Sequence, residues 1–417
     1  MKYELLIARR LKLNAGQERS SAPSLTVAVI GMVLAIIVMI LAIAIVTGFK
    51  HEISNKIYNI DAHIKVGSMG YSASTEYNCV DARNIIPLLR QSPVADSIAS
   101  MSLIAEKPAL FKTAGDFKGI IYKGCSPDYD WSYLDGCLTA GRLPEMSDTA
   151  NQSEIIISQL MATQLGLKVG DRVYTYFIDE KIKVRRSSIV GIFSTDFEEY
   201  DQVFVIGNLR AVQNVNGWNE HTGSYVGINA TSTDLIDQAA YSVFATLYEK
   251  QPDQFGRPLF NVTETHSNNV AYFSWLGLLD MNVIIIIVLM SIVSAFTLIS
   301  ALLMIVLERI NMIGLLKTLG ASNRSIRRIF IYLTQKLIFR ALIIGNVISL
   351  GIALLQQHFH FVKLDAASYY MPYVPVEIDW GVILLLNVAI LVISYLTLIV
   401  PSLIISSIKP SKSINFE

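Results

Sequence analysis

Four stretches of this chain run for more than 20 residues without a charged side chain, and the rest of the sequence is arranged around them. The first, LTVAVIGMVLAIIVMILAIAIVTGF, lies between Arg19 and Lys50, and the second, MNVIIIIVLMSIVSAFTLISALLMIVL, lies between Asp280 and Glu308. The third covers Ala341 to Val362 and begins a turn or two earlier if Lys336 and Arg340 extend their stems toward lipid headgroups. The fourth, WGVILLLNVAILVISYLTLIVPSLIISSI, lies between Asp379 and Lys409, with Pro401 expected to kink it near one end. A helix needs about 20 apolar residues to cross a hydrocarbon layer of roughly 30 Å, so each run predicts a transmembrane span. The first run exceeds the 7 to 15 apolar residues usual in a cleaved signal peptide, which predicts a retained span.

Lysine and arginine positions orient the spans. Lys2, Arg9, Arg10, Lys12 and Arg19 precede span one; Arg309, Lys317, Arg324, Arg327 and Arg328 follow span two; Lys409 and Lys412 follow span four. These segments are expected inside, whereas the loop with Lys363, Asp365, Glu377 and Asp379 suits the outside. The predicted division is therefore a cytoplasmic segment (1–23), span one (24–49), a periplasmic domain (50–272), span two with a periplasmic extension (273–307) and a cytoplasmic coupling segment (308–328). Span three (329–357), a periplasmic loop (358–380), span four (381–407) and a cytoplasmic tail (408–417) complete it.

Inside the 50–272 segment the period changes. AHIKVG, ASMSLIAEKPALF and FKGIIYKGC read as strands and VDARNIIPLLRQ as a helix. SEIIIS leads into a helical QLMATQLG, and KVGDRVYTYF, IKVRRSSIVGIF and DQVFVI read as further strands. SYVGINA, STDLIDQAAYSVFATLYEK and PLFNVTET then repeat strand, helix, strand. The expectation is a mixed α/β domain, a discontinuous α/β subdomain with a β-rich insertion at about 126–222.

Composition agrees with a membrane protein: 52% of residues are hydrophobic, 16% are charged, and the mean hydropathy is +0.45. The formal net charge of zero hides the asymmetry just described, whose meaning is topology and not nucleic-acid binding. Cys79, Cys125 and Cys137 all fall in the outside domain; the Cys125 to Cys137 spacing leaves both a disulfide and free thiols open. Catalytic signatures are missing: the chain has no GxxxxGK[ST] phosphate loop, no HExxH and no GxSxG. Asp196, Glu198, Glu199 and Asp201 do not match a calcium loop and read as a solvated turn, and the six histidines form no cluster. No catalytic or metal-binding residue is assigned.

The segment LERINMIGLLKTLGASNRSIRRIFIY after span two mixes a helical apolar stripe (Ile310, Ile313, Leu316, Leu319) with cations and reaches Gly320, a helix-ending glycine. Such a segment either docks onto a soluble partner or rests on the bilayer surface.

ERINMIGLLKTLGAS followed by a basic turn resembles the coupling segment of the FtsX-like, or type VII, ABC transporter permeases. LLIARR at the N-terminus, TGFKHEISNKI at the end of span one and the terminal IKPSKSINFE strengthen the likeness. Within that superfamily the chain is most similar to the lipoprotein-releasing permeases of the LolC/LolE type, including the loop LDAASYYMPYVPVEIDW. The resemblance implies four spans and a periplasmic domain made of a porter-like subdomain with an inserted β-rich one. It also implies a non-catalytic subunit in the bacterial inner membrane, with both termini cytoplasmic. ATP and magnesium would be bound by a separate cytoplasmic ATPase dimer, docking on Glu308, Arg309, Ile313, Gly314, Leu316, Lys317, Leu319, Gly320 and Ala321. A lipid or cargo cavity would draw on Ile43, Val46, Phe49, Leu276 and Met281, each of which reads equally as ordinary lipid-facing or packing apolarity. Gly31 and Ala35, with Ser291 and Ala295, offer small surfaces for close helix contact, either within the chain or with a second permease subunit.

LolC-like members carry a Pro-containing hairpin extension that hooks a periplasmic lipoprotein carrier, whereas this chain has the short YFIDEKIKV turn. The resemblance then implies either a LolE-like subunit beside a hook-bearing partner or a homodimer. Lipoprotein extraction is the leading expectation; MacB-like export of peptides or toxic small molecules and FtsX-like signalling to a cell-wall hydrolase are the alternatives.

Overall fold

The computed structural model describes residues 22–69, 79–112, 117–146, 153–178, 181–253, 255–365 and 369–402. In chain order, α1 (Ala22–Ile60) leads into β1 (Ile64–Ser68), β2 (Val80–Asp81), α2 (Ala82–Arg90), β3 (Ile98–Lys112) and β4 (Phe117–Cys125). There follow β5 (Leu138–Gly141), β6 (Glu154–Ser158), α3 (Gln159–Leu165), β7 (Arg172–Phe177), β8 (Lys183–Phe193), β9 (Phe204–Asn208) and α4 (Leu209–Asn216). The unit closes with β10 (Thr222–Gly223), β11 (Tyr225–Ala230), α5 (Ile236–Lys250) and β12 (Phe260–Glu264). Four further helices complete the chain: α6 (Val270–Glu308), α7 (Ile310–Thr318), α8 (Asn323–Phe359) and α9 (Trp380–Ser402). Four of these helices, α1, α6, α8 and α9, are long and apolar enough to cross a membrane. Pro401 sits in the last described turn of α9.

The residues fall into two compact units. In the α/β unit (52–274 and 364–372) the strands form a mixed sheet in the order β12-β1-β11-β3-β4-β9-β6-β8-β5, with β7 also pairing β3 and β8. β1, from the start of the segment, lies between β11 and β12, from its end. The strands of the 126–222 region extend this same sheet, because β9 pairs in parallel with β4 and β7 pairs with the far end of β3. Alternating inward residues explain the pattern: Ile64 and Val66, Leu103 and Ala105, Ile155 and Ile157, Val226 and Ile228 all enter one apolar core. The side chains of Ser158 and Asn208 cap α3 and α4 by accepting backbone N–H groups. Cys79, Cys125 and Cys137 are all free thiols.

In the helical unit, α1 is central. Met32, Ile36, Met39 and Ile40 pack with Phe330, Leu333, Leu337 and Ala341 of α8 and with Leu298, Leu302 and Ile305 of α6. Gly345 permits the α1 to α8 approach, since a Cβ there would lie 2.8 Å from Ile36 Cγ2. Between α8 and α9, Asn346 and Asn387 exchange side-chain hydrogen bonds of 2.8 and 3.0 Å. Each amide also donates to its own helix, to Leu342 O and Ile383 O, so neither asparagine is stranded among apolar side chains. Near the C-terminal end of α1, Lys50 bonds Asp280 at 2.7 Å and His51 bonds Glu377 at 2.8 Å. Gly48 lets residues 375–377 lie directly on α1: its Cβ would meet Glu377 N at 2.8 Å, and that N–H donates to Ala44 O.

Candidate coupling and cargo sites

The segment between α6 and α8 folds as the short helix α7. Arg309 leaves helical geometry and separates it from α6, and Gly320, at φ 86°, ends it with Gly320 N donating to Lys317 O and Ala321 N to Leu316 O. The expected docking stripe does not lie on one surface. Ile313 is fully buried in the helical core and Gly314 is buried beside it, so Ile313 packs inward. Leu316 and Lys317 are half-buried, whereas Leu315 is 57% and Leu319 75% exposed. The reason is helical drift: positions three apart wind off a face, and Leu315 and Leu319, four apart, hold the outward one. Glu308 and Gly320 are exposed, and Arg309 and Ala321 are partly so.

The proposed cavity residues divide between environments. Ile43 belongs to the helical core and Leu276 is buried, while Met281 is exposed and Val46 half-buried. Phe49 meets Trp275 edge to face at 5.8 Å. They do not form one lining surface within the chain. The small residues do make intrachain contacts. Ala35 is buried, a Cβ on Gly31 would lie 3.6 Å from Thr297 of α6, and Ser291 and Ala295 line a groove of about 20 Å³ with Met39, Leu298, Ile390 and Ser394.

Two polar arrangements in the α/β unit were not anticipated. Where α1 ends, Lys123 of β4 is 1% exposed, donates to Ile60 O at 3.3 Å, and lies 3.6 Å from Asp61. Burial alone would raise the Asp61 carboxyl, but Lys123 and Lys65 outweigh it and hold it below its usual range. Burial likewise opposes the Lys123 charge, yet Tyr129, Tyr200, Tyr225 and Asp61 raise its pKa well above the ordinary value. Four residues earlier on α1, Lys56 donates to Thr195 O at 3.0 Å and Tyr370 O at 2.9 Å and pairs with Asp196 at 3.6 Å. Phe197 stacks between Tyr272 and Tyr370 at 5.2 and 5.1 Å, and the Tyr370 hydroxyl donates to Glu199 at 2.7 Å.

The acidic run is therefore not simply a solvated turn. Asp201 is buried and accepts from Thr195 N and Thr195 Oγ1, and its burial pushes the carboxyl up to about 6. Asp196 and Tyr370 hold positive φ of 55° and 60°, a conformation that costs on the order of 1 kcal/mol or more and persists only where neighbours enforce it. Charge alternation gave no hint of this node, because its members are distant in sequence. A polar cleft of about 460 Å³, lined by Glu52, Asn55, Lys56, Cys137, Thr139 and Asp196, adjoins it.

Residues 25–243 match the family described as MacB-like periplasmic core domain, and residues 284–410 match the FtsX-like permease C-terminal family. The chain belongs to the permeases built on a MacB-like periplasmic core and an FtsX-like C-terminal region. Similar proteins include the lipoprotein-releasing system transmembrane protein LolC of Neisseria meningitidis serogroup B, 23% identical over 409 residues, 94% of each chain. The LolC of Xylella fastidiosa is 21% identical over 93% of both chains, and the LolE of Haemophilus influenzae 21% identical over 92% of both. Among solved structures, the periplasmic region of MacB from Actinobacillus actinomycetemcomitans is 13% identical, with TM-score 0.36 over 52% of this chain and 95% of that one. The extracellular domain of the ABC-type transporter YknZ is 17% identical, with TM-score 0.35 over 48% of this chain and 99% of that one. The four long apolar helices and the α/β core of the permease agree with this family.

Proposed function

We propose that this permease is the transmembrane subunit of an ATP-driven transporter that extracts outer-membrane-directed lipoproteins from the inner membrane. The observation that carries the reading is similarity to lipoprotein-releasing permeases along almost the whole chain, at both the MacB-like core and the FtsX-like helices. In this reading both termini and α7 are cytoplasmic, and the MacB-like core is periplasmic. A separate ATPase dimer binds ATP and magnesium and seats on Leu315 and Leu319, with Glu308, Leu316 and Lys317 at the rim. α1, at 39 residues, is about 58 Å long against a hydrocarbon layer of roughly 30 Å, so it runs on as a lever to Asp61 and Lys123. A second permease chain, identical or LolC-like, completes the cargo cavity, and a periplasmic carrier receives the lipoprotein.

Depleting the permease and fractionating the membranes tests this. Outer-membrane lipoproteins should accumulate in the inner membrane; if they still reach the outer membrane, the reading fails. The match to the MacB-like core favours a second reading, export of peptides or toxic small molecules, for which depletion would bring drug sensitivity with normal lipoprotein sorting.

A further inference from the structure

From Arg309 to Arg340 the chain carries seven Lys or Arg residues, and no Asp or Glu occurs between Glu308 and Asp365. Four of these cations are exposed on α8, and the two nearest its apolar stretch, Lys336 and Arg340, stand one turn apart. At 100° per residue they share a helix face with Ile343, Val347 and Leu354, which lie 7, 11 and 18 positions beyond Lys336. Those three are 48%, 67% and 53% exposed, so beyond Arg340 this outward face changes from cationic to apolar. Away from that face, Leu337, Ile338 and Ala341 are buried in the helical core, so α8 cannot rotate without losing that packing. From Arg340 to the end of α8 at Phe359 the rise is about 28 Å, close to the hydrocarbon thickness of roughly 30 Å. The border at Arg340 therefore coincides with the plane where lipid phosphates lie.

We propose that Lys336 and Arg340 form a headgroup site for anionic phospholipids, the pair bracketing one phosphate while the acyl chains lie along Ile343, Val347 and Leu354. An anion is the complementary partner because this helix supplies no acid of its own. A lipid fits better than an acidic protein, because the apolar continuation of the same face needs hydrocarbon. The inference depends on membrane insertion and not on the cargo, so it stands or falls separately from lipoprotein extraction; the proposed orientation only names the leaflet as cytoplasmic.

The test uses the purified full-length permease in detergent, titrated with phosphatidylglycerol or phosphatidylcholine of identical chains, with bound lipid counted by native mass spectrometry. Phosphatidylglycerol should be retained roughly tenfold better, from the attraction of two cations for an anionic headgroup. Lys336→Gln with Arg340→Gln should reduce it to the phosphatidylcholine level, and Arg340→Gln alone should give a partial loss. The swap Lys336→Arg with Arg340→Lys should retain it, and excess inorganic phosphate should not displace it. Equal retention of the two lipids by the wild type would overturn the site, as would an undiminished preference in the double Gln variant. Displacement by free phosphate would overturn the lipid as the source of the anion. A double variant that kept its lipid preference but lost an ATPase would assign the pair to a protein contact instead.

Discussion

Spans α1 and α6 are the same length, 39 residues, and both are long apolar helices, yet the structure treats them differently. Within the most apolar window of each, 39% of α1 is buried but only 6% of α6. α1 lies among the other helices, while α6 turns Ile285, Leu289, Ile292 and Phe296 outward. In water such a face would be a fault. In a bilayer, side chains facing lipid and side chains facing protein must both be apolar, so hydropathy marks a span without saying which helix is the pivot. The two helices also differ where they meet the MacB-like core. α1 ends at a buried cation, Lys123, whereas the turn before α6 is held by the Thr265 hydroxyl, which donates to Ala62 O and His63 O.

The largest effect is expected at the α1 joint. Lys123→Met removes one partner of a buried pair and leaves Asp61 with Lys65 as its remaining close cation, which should cost about 3 to 5 kcal/mol. Chemical unfolding of the full-length permease, followed by Trp fluorescence, measures it. A loss below about 1 kcal/mol would mean the buried lysine is not what fixes α1. Within the spans, Ile40→Ala should cost about 2 to 5 kcal/mol because Ile40 is fully buried, while Ile285→Ala, at an exposed site, should stay within about 0.5 kcal/mol. Equal losses in thermal unfolding in detergent would erase the contrast between the helices. An Ile285 loss that appears only at high protein concentration would place a second chain on α6.

The turn at Thr195 to Phe197 touches both helices through Lys56 and Tyr272, and Asp201 holds it. The folded Asp201 pKa of about 6 lies above the usual carboxylate value, so the folded state binds its proton more tightly than the unfolded chain does. Its contribution to stability is greatest below about pH 4, declines as pH rises toward 6, and is flat above, a change of at most about 3 kcal/mol. Asp201→Asn should flatten that slope, at a cost of roughly 1 kcal/mol for the acceptor lost to Thr195 N. Unfolding midpoints from pH 4 to 8 decide it, and an unchanged slope would assign the titration to another group.

Much of this architecture is legible in the residues. Charge-free runs announce the spans, and alternation announces β1 and β3, because burial on one face imposes a period of two. What the sequence hides is which neighbours the elements find. Lys123 lies in FKGIIYKGC, where a strand lysine would ordinarily point to solvent, and only the arrival of Asp61 and Ile60 O from the end of α1 makes its burial tolerable. The acidic turn reads as solvated for the same reason, since Lys56 and Tyr370 reach it from separate segments. On α7, the choice between the Ile313 and Leu315 faces depends on how the segment packs under α8 and α6, which periodicity over nine residues does not resolve.

The smallest expected effect lies at the α6 joint. Thr265→Val keeps the shape of a buried side chain and the backbone bond from Thr265 N to His63 O, but removes the hydroxyl shared by Ala62 O and His63 O. A neutral hydrogen bond of this kind contributes about 1 kcal/mol, well short of the Lys123 pair. The same unfolding experiment compares them directly, and the ratio matters more than either value. If Thr265→Val costs as much as Lys123→Met, the two contacts hold their segments equally, and the buried lysine loses its standing as the stronger one. If the ratio holds, the last residues of α1 are tied to the sheet through Lys123 more tightly than the turn before α6 is tied through Thr265.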